Sequence, residues 1–226
     1  MRMKTHRRAL LCEQLESRFV LSSLGQPQTP DSGAVDDSGD FQPVIVAGEP
    51  SGTPADSPAN RVDPNDASSP FAGVGSLQIS TNRGTYICTG TPIDTIHVLT
   101  AAHCIDINND GAVNKKDGIR SITFNLNLDI DAGTDQVDVR ITASAWEKHP
   151  DFTGFNRPSI NDDLAVITLG GTGVPAGVPT YSLDASPMVA GATHLYLVGY
   201  GRSGDGVNGY TTNASFTIKR AGENMV

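Results

Sequence analysis

No apolar run in this 226-residue sequence reaches the length of about eighteen residues that a membrane-spanning helix requires, so no transmembrane segment is expected. Basic residues are outnumbered, 16 Lys and Arg against 25 Asp and Glu, for a formal net charge of −9. That balance argues against nucleic acid or an acidic membrane surface as the main partner. Aromatic residues make up 6% and hydrophobic residues 38%, both low, because much of the N-terminal third cannot form a core. Helical periodicity is almost absent. Cysteine is scarce too: Cys12 lies near the N-terminus, and the others are Cys88 and Cys104.

What is present divides into three stretches. Residues 1–24 start with Arg2, Lys4, Arg7 and Arg8, but Glu13, Glu16 and Arg18 break the apolar part that follows, so it makes a poor secretory signal. Leu15-Glu16-Ser17-Arg18-Phe19-Val20-Leu21 resembles the Leu-Glu-Pro-Arg-type sorting motif of some bacterial exported proteins, with Ser17 in the proline's place. A short amphipathic helix without address function is the other reading. Residues 25–70 are rich in Pro, Asp, Ser and Gly and read as a disordered acidic linker. Val44-Ile45-Val46 is its one candidate strand. From Phe71 the texture changes to short alternating runs separated by Gly, Asn and Asp turns: a strand from Gly73, a hairpin turn at Asn82-Arg83-Gly84, then Ser121–Leu128, Val137–Trp146, Leu164–Leu169 and Leu195–Val198. The expectation for 71–226 is an all-β barrel or sandwich.

The most informative stretch is Cys88–Cys104, CTGTPIDTIHVLTAAHC. A strand, a turn at Asp94-Thr95 and a second strand end in Thr100-Ala101-Ala102-His103-Cys104. This pattern resembles the trypsin-like (chymotrypsin-fold) serine peptidases. The resemblance implies a double antiparallel β-barrel, a general-base role for His103, a disulfide between Cys88 and Cys104, and a polypeptide substrate. Such a cross-link closes a loop of about 15 residues, worth roughly 3 kcal/mol in the chain-entropy model, and points to an extracytoplasmic compartment. Without the flanking pattern, a histidine beside two buried thiols would read as ordinary core.

Asn161-Asp162-Asp163-Leu164-Ala165-Val166-Ile167 resembles the same family's motif for the acid that orients the histidine, which falls on Asp163. A carboxylate at the mouth of a buried strand can hold the imidazole tautomer whose Nε2 acts as base. Asp162 should face solvent. His149-Pro150-Asp151-Phe152 echoes a structural turn of the family, so His149 is not a catalytic candidate. The His103–Asp163 spacing of 60 residues exceeds the family template's span of about 45. The surplus matches an insertion over 105–118.

Within that insertion Asp106, Asn108, Asp110, Asn114 and Asp117 occupy positions 1, 3, 5, 9 and 12 of an EF-hand-type loop, with Gly111 at position 6 and the Ala112 carbonyl at 7. The loop resembles those of dockerin modules and implies a structural calcium ion. Asp117 is shorter than the usual Glu, and a strand follows where a helix would be expected. An Asn/Asp-rich surface turn is the alternative.

Leu197-Val198-Gly199-Tyr200-Gly201 resembles a second-barrel strand of the family, but no Gly-Asp-Ser-Gly-Gly follows. Asp31-Ser32-Gly33 and Asp37-Ser38-Gly39 precede the histidine and are coincidence, and Ser203 lies in an inverted order too close to the preceding strand. The expectation is therefore a first barrel complete, a second only partly encoded, and a nucleophile beyond Val226. The resemblance implies an exported serine endopeptidase whose catalytic serine is not in this sequence. An inactive, calcium-dependent binding or adhesion protein on the same scaffold is the competing reading.

Overall fold

The computed structural model describes residues 44–64, 66–128, 136–154, 162–184 and 194–225. Eleven strands are described: β1 (Val44–Ala47), β2 (Gly75–Thr81), β3 (Thr85–Pro92), β4 (His97–Thr100), β5 (Ile119–Leu126), β6 (Val139–Lys148), β7 (Ala165–Leu169), β8 (His194–Gly199), β9 (Arg202–Asp205), β10 (Gly209–Thr212) and β11 (Arg220–Met225). The only helical elements among the described residues are three single 3₁₀ turns, Pro58–Arg61, Ala102–Cys104 and Lys115–Asp117. The all-β expectation holds.

Six strands close into a barrel in the order β2-β3-β4-β7-β6-β5. Alternation dictates which side chains fill it. Leu77 and Ile79 of β2, Ile122, Phe124 and Leu126 of β5, and Ala165, Ile167 and Leu169 of β7 are buried, while Gln78, Thr123 and Val166 between them are half-buried. Gly90 of β3 is required by close approach, because a Cβ there would lie 2.5 Å from Cγ1 of Val98. The β2–β3 hairpin is held by Thr81, whose Oγ1 accepts from the backbone N–H groups of Arg83 and Gly84.

No second closed barrel occurs among the described residues. β8 pairs antiparallel with β11, and β9 lies between β10 and β1. These strands are fastened to the barrel by Tyr200, which is fully buried. Its backbone N–H donates to Thr89 Oγ1 on β3, and its hydroxyl donates to the Val74 carbonyl. Burial and the nearby Asp63 charge push the Tyr200 hydroxyl far above its ordinary pKa, so it remains a donor. Asn127 Nδ2 spans the junction by donating to the carbonyls of Phe216 and Thr217.

Part of the stretch read as a linker, residues 25–70, is described, and its candidate strand at Val44-Ile45-Val46 is present. Val44–Ala47 is a strand that pairs in parallel with Arg202–Asp205. Further along, Asp63 is buried, its N–H donates to the Lys219 carbonyl and its carboxylate lies 3.1 Å from Lys219 Nζ. A stretch with little apolar surface is ordered here by backbone pairing and one buried ion pair. Residues 1–24, read as a leader with a sorting motif, lie outside the described residues.

Candidate active site

β4 delivers His103. After Thr100 the chain leaves the sheet, and Ala101 keeps an extended backbone before the 3₁₀ turn Ala102–Cys104. Ala102 is completely buried, which leaves no space for a larger side chain at that position of the turn. The turn is closed by N–H donation from Cys104 to the Ala101 carbonyl and from Ile105 to that of Ala102.

The register of the neighbouring strand delivers Asp163. β4 and β7 are antiparallel with Thr100 opposite Ala165, so the two chains continue past the sheet end together. Asp163 therefore meets the turn that carries His103. Just before it, Asp162 takes a left-handed φ of 57°, which sends consecutive carboxylates in different directions. The Asp163 side chain is 7% exposed, whereas that of Asp162 is 42% exposed.

The contact between them is a two-point clamp. Asp163 Oδ1 accepts the backbone N–H of His103 at 2.8 Å, and Oδ2 lies 2.8 Å from the ring Nδ1. An ionised carboxylate only accepts, so Nδ1 carries the ring proton and Nε2 the lone pair. With a side chain 24% exposed, the imidazole can accept a proton at Nε2 while its cation is stabilised from behind. The Cys88–Cys104 disulfide forms, with S–S 2.00 Å, and ties β3 to the residue after the histidine. The sulfurs are bonded to each other, so their closeness to the imidazole is not a thiolate metal site.

The inserted loop folds on its own acids. Asp106 and Asp117 are both buried, at 3% and 0% exposure. Asp106 accepts the N–H groups of Asp110 and Gly111, and Asp117 accepts those of Asn108 and Asn114. Asp110 Oδ1 accepts from Ala112, while the Asn114 side chain accepts from Lys116 and donates to the Ala112 carbonyl. Gly111 is obligatory, since φ is +79° and a Cβ would stand 2.5 Å from the Thr153 carbonyl oxygen. Burial, with like charge from Asp117 and Asp110, raises the Asp106 carboxyl above the usual carboxylate range, although its two N–H donors oppose this. Asn114 and Asp117 form a reciprocal capping box on the last turn, which leads into β5 through Gly118.

Ser203, dismissed above as a nucleophile, is buried in β9, opposite Ile45 on one side and Thr212 on the other. Two features escaped the sequence reading. The backbone N–H contact to Asp163 follows from the β4–β7 register, which the motifs do not state. The second is a group of His149, Asp151 and Asp162, whose ligand atoms all lie within 4.8 Å of one another.

Trypsin-3 of Homo sapiens is 30% identical to this chain over 127 residues, 56% of this chain and 36% of its own length. A second trypsin of Homo sapiens is also 30% identical over 127 residues, 44% of its length. The chain thus spans less than half of the curated relatives it matches. A solved structure of HL collagenase superposes with a TM-score of 0.48 and 18% identity, over 69% of this chain and 58% of that one. The family model described as Trypsin matches residues 62–220, well over half of the sequence and including both members of the clamp, and the chain accordingly belongs to the trypsin family.

Proposed function

We propose that this chain is the histidine- and aspartate-bearing part of a serine endopeptidase that cleaves polypeptides by acyl transfer. The observation that carries the reading is the two-point hold of Asp163 on His103, which fixes both the backbone and the ring tautomer of a general base. Asp163 is the orienter, and the nucleophile is a serine C-terminal to Val226, since no Gly-Asp-Ser-Gly-Gly follows Leu197–Gly201 in this sequence. The disulfide fits an oxidising, extracytoplasmic location. No helix among the described residues is long and apolar enough to cross a membrane. A fluorophosphonate probe, which labels only an activated serine, tests the assignment. The 226-residue chain should remain unlabelled, and the gene product extended beyond Val226 should label in a manner lost in His103→Ala. Labelling of the short chain would place the nucleophile within it. A longer product that stays unlabelled would favour the binding-protein reading.

The 106–117 loop, in this reading, holds a structural calcium ion. Its donor set suits a hard dication: carboxylates of Asp106, Asp110 and Asp117, side-chain oxygens of Asn108 and Asn114, and the Ala112 carbonyl. The raised Asp106 carboxyl supports this, because buried like charges gain most from a cation. The ion's role is to stiffen the loop that follows His103, not to take part in bond chemistry. Calcium at a hundredfold excess over its Kd should stabilise the chain by about 2.7 kcal/mol, read as a rise in Tm, and Asp106→Asn should remove most of that rise. An unchanged Tm in calcium would refute the site. Without calcium, the raised Asp106 pKa means that the folded state binds more protons than the unfolded one. Its contribution to stability therefore falls as pH rises through the interval above 3.8.

A further inference from the structure

The group of His149, Asp151 and Asp162 lies outside the His103–Asp163 contact yet next to it in the chain. We propose that these three residues form a surface site for a divalent transition ion of the zinc type. One imidazole nitrogen and two carboxylates make a borderline donor set, better matched to zinc than to calcium or magnesium. The inference is independent of the peptidase reading, since none of the three residues takes part in the proposed chemistry.

The backbone holds the donors in place. β6 and β7 pair up to Lys148 opposite Ala165, and one further ladder contact follows, the His149 N–H donating to the Leu164 carbonyl at 2.7 Å. His149 and Asp162 thus come from the two sides of one strand pair, with Asp162 Oδ1 3.8 Å from His149 Nδ1. The turn carrying Asp151 is laced from the other side, where Lys148 Nζ donates to the carbonyls of His149, Pro150 and Phe152. That ammonium is therefore occupied by carbonyls.

The tautomer also suits a metal. The Asp151 backbone N–H donates to His149 Nδ1 at 3.3 Å, so this nitrogen is an acceptor and carries a lone pair rather than a proton. A contact that long is readily exchanged for a bond to a metal. Ligand atoms on zinc at about 2.0–2.2 Å are nearer to one another than these, so the exposed side chains must close inward slightly. His149 and Asp162 have side chains 36% and 42% exposed and are free to do so, and water completes the coordination. An ion held there would fasten Asp162, and with it the left-handed step that aims Asp163 at His103.

The test uses the 226-residue chain stripped with a chelator and titrated with zinc chloride. Calorimetry should give one ion per chain, and Tm should rise by about 5–10 °C at a hundredfold excess over Kd. His149→Ala and Asp162→Asn should each abolish the rise, whereas His103→Ala and Asp106→Asn should retain it. Ring NMR signals of His149 should shift on zinc addition, which keeps the test decisive if a variant folds poorly. Zinc that leaves Tm unchanged, a rise that survives in His149→Ala, or shifts at His97 or His103 without one at His149 would overturn the proposal.

Discussion

Asp163→Asn should leave the barrel folded and reverse the tautomer of His103. The carboxylate accepts at both oxygens, from the backbone N–H and from Nδ1–H. An amide has one accepting oxygen. If that oxygen keeps the His103 N–H, the NH₂ faces Nδ1 and can only donate, so the ring proton moves to Nε2. The lone pair then lies on Nδ1, and Nε2 can no longer act as base. Ring ¹⁵N NMR on the present chain should show a protonated Nδ1 in wild type and a protonated Nε2 in the variant. In a longer protein that carries the proposed serine, kcat should fall about 10⁴-fold. KM should move little, because the interaction lost is one that matters in the transition state. A variant with wild-type ring signals and undiminished kcat would reduce Asp163 to a turn residue.

The elements of that argument differ in how far the sequence shows them. Thr100–Cys104 and Asn161–Ile167 are local patterns, and alternation at 77/79 and 122/124/126 marks which faces of β2 and β5 turn inward. Local patterns of this kind are legible because strand period and burial coincide in them. The 60-residue gap between His103 and Asp163 does not obscure their pairing, because an insertion over 105–118 that forms its own loop leaves the β4–β7 register untouched. The pairing of Val44–Ala47 with β9 is another matter. Its partner lies more than 150 residues away, and a four-residue strand in a Pro- and Asp-rich stretch carries no sign of where it docks. The His149–Asp151–Asp162 group was missed for a related reason: the strand register brings its halves together, and the motif containing His149 read only as a turn. Charges at Asp63 and Lys219 carry no local signal of burial at all.

Removing one member of that last pair has the largest stability effect expected here. Lys219 is 0% exposed, its Nζ donating to the Phe71 carbonyl at 2.7 Å and lying 3.1 Å from Asp63 Oδ1. The Ser69 hydroxyl contacts both Asp63 oxygens, so the carboxylate is satisfied as well as neutralised. In Asp63→Ala the ammonium stays buried without its counter-charge, a change that costs about 3–5 kcal/mol. For a chain of this size that is a fall in Tm of about 6–20 °C. Replacing both residues by apolar ones of similar volume, Asp63→Leu with Lys219→Met, should recover most of the loss, since the expensive state is the unpaired charge. The pH dependence follows from burial, which lowers the Lys219 pKa while Asp63 raises it. Between the lowered value and the unfolded value near 10.5, the unfolded chain binds more protons, so stability from this group rises with pH across that interval. Without Asp63 the depression deepens and the interval extends towards neutrality. Urea melts at pH 7, 8.5 and 10 should therefore show Asp63→Ala regaining stability on alkalinisation more steeply than wild type. Parallel curves, or a loss at pH 7 below about 1 kcal/mol, the size of a surface ion pair, would mean that the ammonium reaches water.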